Sequence, residues 1–368
     1  LLLYNGRMRV AIILLTSLLF SSLSGETPVF EQKIIEISQK SVAEDYFSAV
    51  SISVFKDGKK IANISEGFIH SKTPDQKITD KTLFDLASLT KPIVIVSLFF
   101  DLEKKGLLDR NWTVSKFFPE ITREITLIQL LTHKSGLSAY ADFFKLDGGT
   151  DLESRKNRII KYISEIKKVH PDRYSDINYI LLGFIIEKIT GKDLNTSFKE
   201  FISRNYPSIK SFTYNPLKNG LKVSQIVATS YSVPRNIITH GEVEDENAAY
   251  LSGISGHAGL FSTADDVSQF YSLLLKDPVF RKVITEQTGF DKKESENSNF
   301  GVVADTSCSG HLGWSGTAFL ICPENDIVIT ILTNRTHSIK YKPEDFTNIK
   351  TFRRIVFDLI LSELNKVQ

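Results

Sequence analysis

The chain has 368 residues, 42% hydrophobic and 24% charged, enough apolar material for one large domain or two lobes around a sizeable core. Its 45 basic and 43 acidic residues leave a net charge of +2, with no basic tail or patch to engage nucleic acid and no acidic run to act as a solvating tail. Neither an internal repeat nor a low-complexity tract divides it.

The N-terminus stands apart. Arg7 and Arg9 precede an apolar run from Val10 to Phe20, followed by small residues up to Ser24-Gly25. This is the layout of an export signal spanning residues 1–24, with Ser22 and Ser24 before the cut. The run is short of the ~20 residues that cross a bilayer, so cleavage is expected rather than an anchor, leaving no stable membrane span. No cysteine stands there to take a lipid. Met8 is the only methionine, so translation is expected to start there, with residues 1–7 an over-extended gene start. Export implies an oxidising compartment. The two cysteines, Cys308 and Cys322, leave both a pair of buried thiols and a bridge open.

"EQKIIEISQKSVAEDYF" has the periodicity of an amphipathic helix, and "SAVSISVFKDGKKIANISEGF" alternates apolar and polar residues around Asp57-Gly58, a hairpin signal. The segment after Ser88 carries Ile93, Val94, Ile95, Val96, Leu98, Phe99 and Leu102, which predicts a helix buried nearly all round and ended by Gly106. Pro92 is tolerated only in a first turn, which places Ser88 at the helix start. From about 107 to 255 the pattern is mostly helix and loop, including the buried helix "SDINYILLGFIIEKITG" closed by Gly191. Thr263 and Asp266 in "STADDVSQFYSLLL" have capping-box spacing. The last hundred residues return to strands and finish on the amphipathic "FRRIVFDLILSEL". Strands at both ends predict one antiparallel sheet closed by the two ends of the chain, facing a helical lobe, with a cleft at the boundary.

Ser-x-x-Lys occurs three times, at Ser53/Lys56, Ser88/Lys91 and Ser164/Lys167. In a helix, residues three apart share a face, and a serine at the N-terminus sits in a positive backbone field. Ser53 lies in a predicted strand, where i and i+3 point to opposite faces. Ser164 lies in a polar helix. Lys91 is embedded in the most apolar helix of the chain, where burial lowers a lysine pKa toward that of a usable base. On these residues alone a nucleophile with its lysine and a capping serine with a snorkelling lysine both stand.

Further segments resolve the choice. "FDLASLTK", "LLTHKSGL", "RYSDINYILLGFIIEKITG", "SGHAGLFSTADD" and "GHLGWSGTAFLICPENDIVITILTN", in that order and spacing, resemble the serine β-lactamase-related hydrolases of the class C type. That superfamily holds class C β-lactamases, D-alanyl-D-alanine carboxypeptidases and β-lactamase-like esterases, and the resemblance runs from about residue 30 to the C-terminus. It implies an α+β, β-lactamase/transpeptidase-like fold in one domain over 25–368, with a sheet lobe at about 25–105 and 256–368 and a helical lobe at about 106–255. Ser88 would be the nucleophile, Lys91 its partner, and Tyr174 the tyrosine of the Tyr-x-Asn element. His311, the Lys/His-x-Gly residue on the strand bordering the site, would be an electrostatic and proton-shuttling partner, partly charged at neutral pH. The backbone N–H groups of Ser88 and Trp314 would form the oxyanion hole, and Gly313 would leave a strand edge bare for substrate.

Two positions depart from that pattern. Asp176 replaces the usual asparagine; it cannot donate to a substrate carbonyl, and beside Lys91 it would keep the ammonium charged, favouring Tyr174 as base. Leu312 replaces the usual threonine, whose hydroxyl helps hold a substrate carboxylate. His133 and His257 fall in loops where bracing roles are expected, while Tyr231 and Asp245 carry no assignable role. No metal-ligand cluster or phosphate-cradling loop appears, so no cofactor is implied. The expectation is an exported acyl-enzyme serine hydrolase cleaving an ester or amide in a small-molecule or peptide substrate, cell-wall fragments among them. The alternatives are a carboxypeptidase or β-lactamase acting on cell-wall peptides or penicillins, and a non-catalytic penicillin-binding module.

Overall fold

The computed structural model describes residues 29–73, 75–146, 149–167, 173–292, 298–338 and 340–366. The expected export signal lies outside them. The main helices are α1 (Val29–Ala43), α2 (Ser97–Lys104), α3 (Asp176–Thr190), α4 (Ala264–Leu274) and α5 (Thr347–Asn365). Six strands, β1 (Ala49–Lys56), β2 (Lys59–Gly67), β3 (Asp291–Lys292), β4 (Ser309–Leu312), β5 (Ala318–Cys322) and β6 (Ile327–Thr333), form one antiparallel sheet in the order β2-β1-β6-β5-β4-β3.

The β1–β2 hairpin turns at Asp57 and Gly58, both at positive φ (51° and 77°), as a turn matched to the strand twist requires. β1 then pairs with β6, Val50 opposite Thr333, so the two ends of the chain close the sheet. The period-two alternation sorts the side chains. Val50, Ile52 and Val54 join Ile329 and Ile331 in a core beneath α1 and α5, while Val328 and Leu332 face the larger core shared with the helical region. A disulfide joins Cys308 to Cys322, so the strand leading to His311 is stapled to β5.

The helix after Ser88 does not start as a plain α-helix. Ala87–Leu89 form a 3₁₀ turn and Lys91–Val96 a π-turn before α2 begins. Pro92 has no N–H for the Ser88 carbonyl, the bond an α-turn would need there, and the chain opens by one residue. The segment is buried from Lys91 to Phe100. It ends with Gly106 at φ 69°, whose N–H bonds the Glu103 carbonyl while that of Leu107 bonds Leu102, a Schellman ending.

The stretch expected to be helix and loop also holds strands. Thr213–Tyr214 pairs with Leu260–Ser262, which pairs with Phe84–Asp85, and Ser230–Ser232 forms a hairpin with Ile237–Thr239. The three-stranded piece pins the approach to Ser88. The capping box at Thr263 is half formed: Thr263 accepts from the Asp266 N–H, but the Asp266 carboxylate accepts from Lys210 and Ser211 instead. α3 is buried along most of its length, and the Ser255–Gly259 loop lies against it. A Cβ at Gly256 would stand 2.2 Å from the Tyr179 carbonyl, so only glycine lets the loop come that close.

Candidate active site

Ala87 sits at φ 48°, a strained conformation for a residue with a side chain, and this bend delivers Ser88 to a cavity of about 760 Å³ between the sheet and the helical region. Lys91 is fully buried. Its Nζ lies 2.8 Å from Ser88 Oγ, 2.8 Å from Asp176 Oδ1 and 3.2 Å from the His257 carbonyl. The other two copies of the motif come apart. Ser53 donates to Asp265 while Lys56 reaches the Leu364 carbonyl, and Ser164 donates to the Lys161 carbonyl on an exposed helix.

The electrostatics of Lys91 run against the simplest expectation. Burial alone would lower its pKa, but Asp176 and Tyr174 outweigh it and hold the ammonium above the ordinary lysine range. Tyr174 is 40% exposed as a residue, and its hydroxyl lies near enough to Lys91 and Ser88 for both to act on its charge. Burial of that hydroxyl pushes it up to about 12, with Lys91 pulling the other way. The ring stacks on His133 at 4.4 Å. His133 Nδ1 accepts from the Ser175 N–H, and burial with the charge of Lys91 pushes the imidazole down to about 3, so this bracing ring is neutral.

His311 differs from expectation in charge and in aspect. It is buried, its Nδ1 lies 2.9 Å from the Leu312 carbonyl, and burial and then Lys91 push it down to about 3. It is therefore neutral rather than partly charged. Its ring lies 6.2 Å from that of Tyr174 and faces a separate cavity of about 280 Å³ behind it. Asp176, Leu312, Gly313 and Trp314 line the main cavity with Ser88 and Tyr174.

Gly313 serves a purpose other than a bare strand edge. A Cβ there would fall 2.0 Å from Thr317 Oγ1 and 3.1 Å from the Leu86 carbonyl, so glycine lets the β4–β5 turn pack on the residues before Ser88. The edge itself is occupied: β3 pairs with Ser309 and Gly310, and the Leu312 N–H donates to Asp291.

Sequence reasoning missed the residues that hold this turn. Arg353 donates to the carbonyls of Gly313, Gly316 and Thr317, and Arg335 donates through Nε to the Trp314 carbonyl and through its backbone N–H to Ser315. With the Trp314 carbonyl tied back, its N–H has no acceptor among the described residues. Arg353 had a readable signal: it stands among Phe352, Val356 and Phe357 on the apolar stripe of α5. Asp245 also has a place, capping Glu246–Tyr250 and lying 2.8 Å from His257 Nε2. Asp176, Asp245 and His257 bring donor atoms within 4.8 Å of one another, but the Lys91 ammonium is already the cation beside Asp176.

An antiparallel sheet covered by α1 and α5, with a serine-bearing helix at its boundary with a helical region, is the β-lactamase/transpeptidase-like fold. The Beta-lactamase family matches residues 34–352, and the chain belongs to it; it is a beta-lactamase-family serine hydrolase. The N-acetylmuramyl-L-alanine amidase of Bacillus subtilis (strain 168) is 29% identical, over 86% of this chain and 84% of that one. Among solved structures, EstCE1, a hydrolase with promiscuous acyltransferase activity, superposes with a TM-score of 0.71 at 17% identity, covering 90% of this chain and 98% of its own. A class C beta lactamase from Rhodobacter sphaeroides superposes at 0.65 with 18% identity, over 90% and 99%.

Proposed function

We propose that the chain is an exported hydrolase that cleaves an ester or amide bond through an acyl-enzyme on Ser88. The observation that carries this is the contact of 2.8 Å between Ser88 Oγ and the buried Lys91 Nζ on the wall of the main cavity. Ser88 Oγ attacks the substrate carbonyl. Tyr174 takes the serine proton while passing its own through Lys91 to Asp176, the anionic member of the network, so Lys91 stays charged throughout. Collapse of the tetrahedral intermediate returns that proton along the same path to the leaving group, and a water repeats the cycle to release the acyl group. The N–H groups of Ser88 and Trp314 stabilise the oxyanion; loss of one such donor costs ~3 kcal/mol in well-studied cases.

An amide of a cell-wall fragment is the substrate class supported by the name of the Bacillus relative. A carboxypeptidase or β-lactamase reading has less support, because Leu312 offers no hydroxyl and His311 no charge for a substrate carboxylate. A penicillin-binding module without catalysis would not need the joined Ser88, Lys91, Tyr174 and Asp176 set. Export and removal of residues 1–24, leaving one hydrolase domain, rest on the N-terminal pattern, and a Cys308–Cys322 bridge suits an oxidising compartment.

The test is incubation of the full chain with a fluorophosphonate probe and a fluorescent penicillin, followed by mapping of the labelled residue. Fluorophosphonate labelling at Ser88, lost in Ser88→Ala and kept in Ser53→Ala and Ser164→Ala, is the expected result. Labelling at any other serine overturns the mechanism.

A further inference from the structure

We propose that the substrate carries an ammonium group, seated in the main cavity against the carboxylate of Glu244; this rests on the reading of Ser88 as the nucleophile. Among the described residues the cavity wall holds six acids, Asp85, Asp176, Glu244, Asp245, Glu246 and Asp291, and one cation, Arg353. Five of the acids are engaged. Asp176 faces Lys91, Asp245 faces His257, and Glu246 faces Arg235 at 2.9 Å. Asp85 accepts from the N–H groups of Ala87 and Glu244, and Asp291 accepts from that of Leu312.

Glu244 is the exception. Its N–H donates to Asp85 and its carbonyl accepts from Arg235, but its carboxylate has no hydrogen-bond or ion-pair partner among the described residues. The residue is half-buried and lines the cavity. Burial, and then Asp245, Asp85 and Glu246, push that carboxyl up to about 8, with Arg235 opposing; Arg335 also interacts with its charge, but no described cation reaches it to form an ion pair.

The cation on the wall is not free for an anionic ligand. Arg353 directs four of its five N–H groups at the Gly313, Gly316 and Thr317 carbonyls and at Asn299. A substrate carboxylate would therefore meet acids without a free cation. An ammonium could pair with the Glu244 carboxylate, and the half-exposed Tyr140 on the same wall offers a face to a cation, while the Trp314 ring already lies under Arg335 at 5.2 Å.

Three probes of one chain length test this on the full chain: n-hexylamine, n-hexanol and hexanoate. Dissociation constants are read by calorimetry at about pH 9, where the Glu244 carboxyl is ionised and an alkyl ammonium is still charged. The amine is expected to bind about tenfold tighter than the alcohol, the worth of a charge-assisted hydrogen bond, and hexanoate weakest of the three. Glu244→Gln should erase the advantage of the amine over the alcohol, and Glu244→Asp should keep part of it. An amine no tighter than the alcohol in the wild type, or an advantage unchanged in Glu244→Gln, overturns the proposal. The wild-type series stands even if a variant folds poorly. Binding is read without turnover, so a protein that prefers the amine yet is not labelled at Ser88 refutes the acyl-enzyme reading and leaves Glu244 as a binding site for an ammonium group, not as part of substrate recognition.

Discussion

At the Ser88 end of the main cavity the charges are closed on one another: Lys91 is held by Asp176, Ser88 and the His257 carbonyl, and Tyr174 reaches both Ser88 and Lys91. At the Glu244 end the balance is open, with a carboxyl that pairs with no cation among the described residues and an arginine spent on backbone carbonyls. The contrast separates two tasks. A proton relay works when its members already touch and no member changes partner during the step. A recognition surface works when a buried group is incomplete until the ligand arrives. The chemistry is thus general at one end, and the choice of substrate sits at the other.

The sharpest way to break this contrast is to cut the relay without disturbing its scaffold. Tyr174→Phe keeps the ring that stacks on His133 and removes only the hydroxyl shared by Ser88 and Lys91. Turnover of a p-nitrophenyl ester should fall by ~10²–10⁴-fold, the usual worth of a positioned general base, with the melting temperature little changed. Full activity in that variant would move the role to Lys91 alone and make the closed network dispensable.

The same contrast explains what could be read from the sequence. The Asp57-Gly58 hairpin was legible because a local rule governs it, a turn that demands positive φ. The i to i+3 spacing and an apolar helix around a lysine marked Ser88 and Lys91 as candidates, but choosing them, and finding Tyr174 at all, took the resemblance to β-lactamase-related hydrolases. The pairing of β1 with β6 followed from strands at both ends of the chain. What was not legible depends on contacts between distant segments. Nothing near Glu244 in the sequence shows that Asp85, some 160 residues earlier, takes its N–H. His311 looked titratable because its burial and its distance from Lys91 are properties of the fold. Arg353 and Arg335 act on carbonyls, which carry no residue signature at all. The π-turn after Ser88 is an intermediate case: Pro92 announced a missing N–H, but the form of the accommodation is set by packing.

Arg353 sharpens the contrast because it belongs to both ends, lining the cavity wall and holding the turn that carries Trp314, whose N–H is the proposed oxyanion donor. Arg353→Ala frees the carbonyls of Gly313, Gly316 and Thr317, so the donor is displaced rather than deleted. With deletion of such a donor costing ~10²–10³ in kcat, displacement should cost about 10–100-fold, with KM for a neutral ester little changed. Arg353→Lys keeps the charge but loses the fork, and should recover only part of kcat. A purely structural arginine would instead lower the melting temperature in both variants and leave kcat of the folded fraction intact.

The smallest expected effect concerns Leu312, on the wall between the two ends. A threonine there would restore the hydroxyl that relatives of this type place beside a cation to hold a substrate carboxylate. In this protein the hydroxyl would stand without that partner, since burial and Lys91 keep His311 neutral and it faces the other cavity. The nearest polar neighbour on the strand edge is Asp291, which accepts from the Leu312 N–H and would repel an anion. A hydroxyl donating to a carboxylate is worth about 1.5–3 kcal/mol, and without a cation beside it and with Asp291 repelling the anion the gain should stay at or below the low end. Leu312→Thr should therefore raise kcat/KM for penicillins or D-alanyl-D-alanine peptides by only about two- to tenfold. Neutral p-nitrophenyl esters should change less, and should remain preferred over the anionic substrates by kcat/KM in the wild type and in the variant. A hundredfold gain on penicillins would mean that a cation is available at this wall after all, and the assignment of Arg353 to the turn carbonyls, and with it the open charge balance at Glu244, would have to be given up.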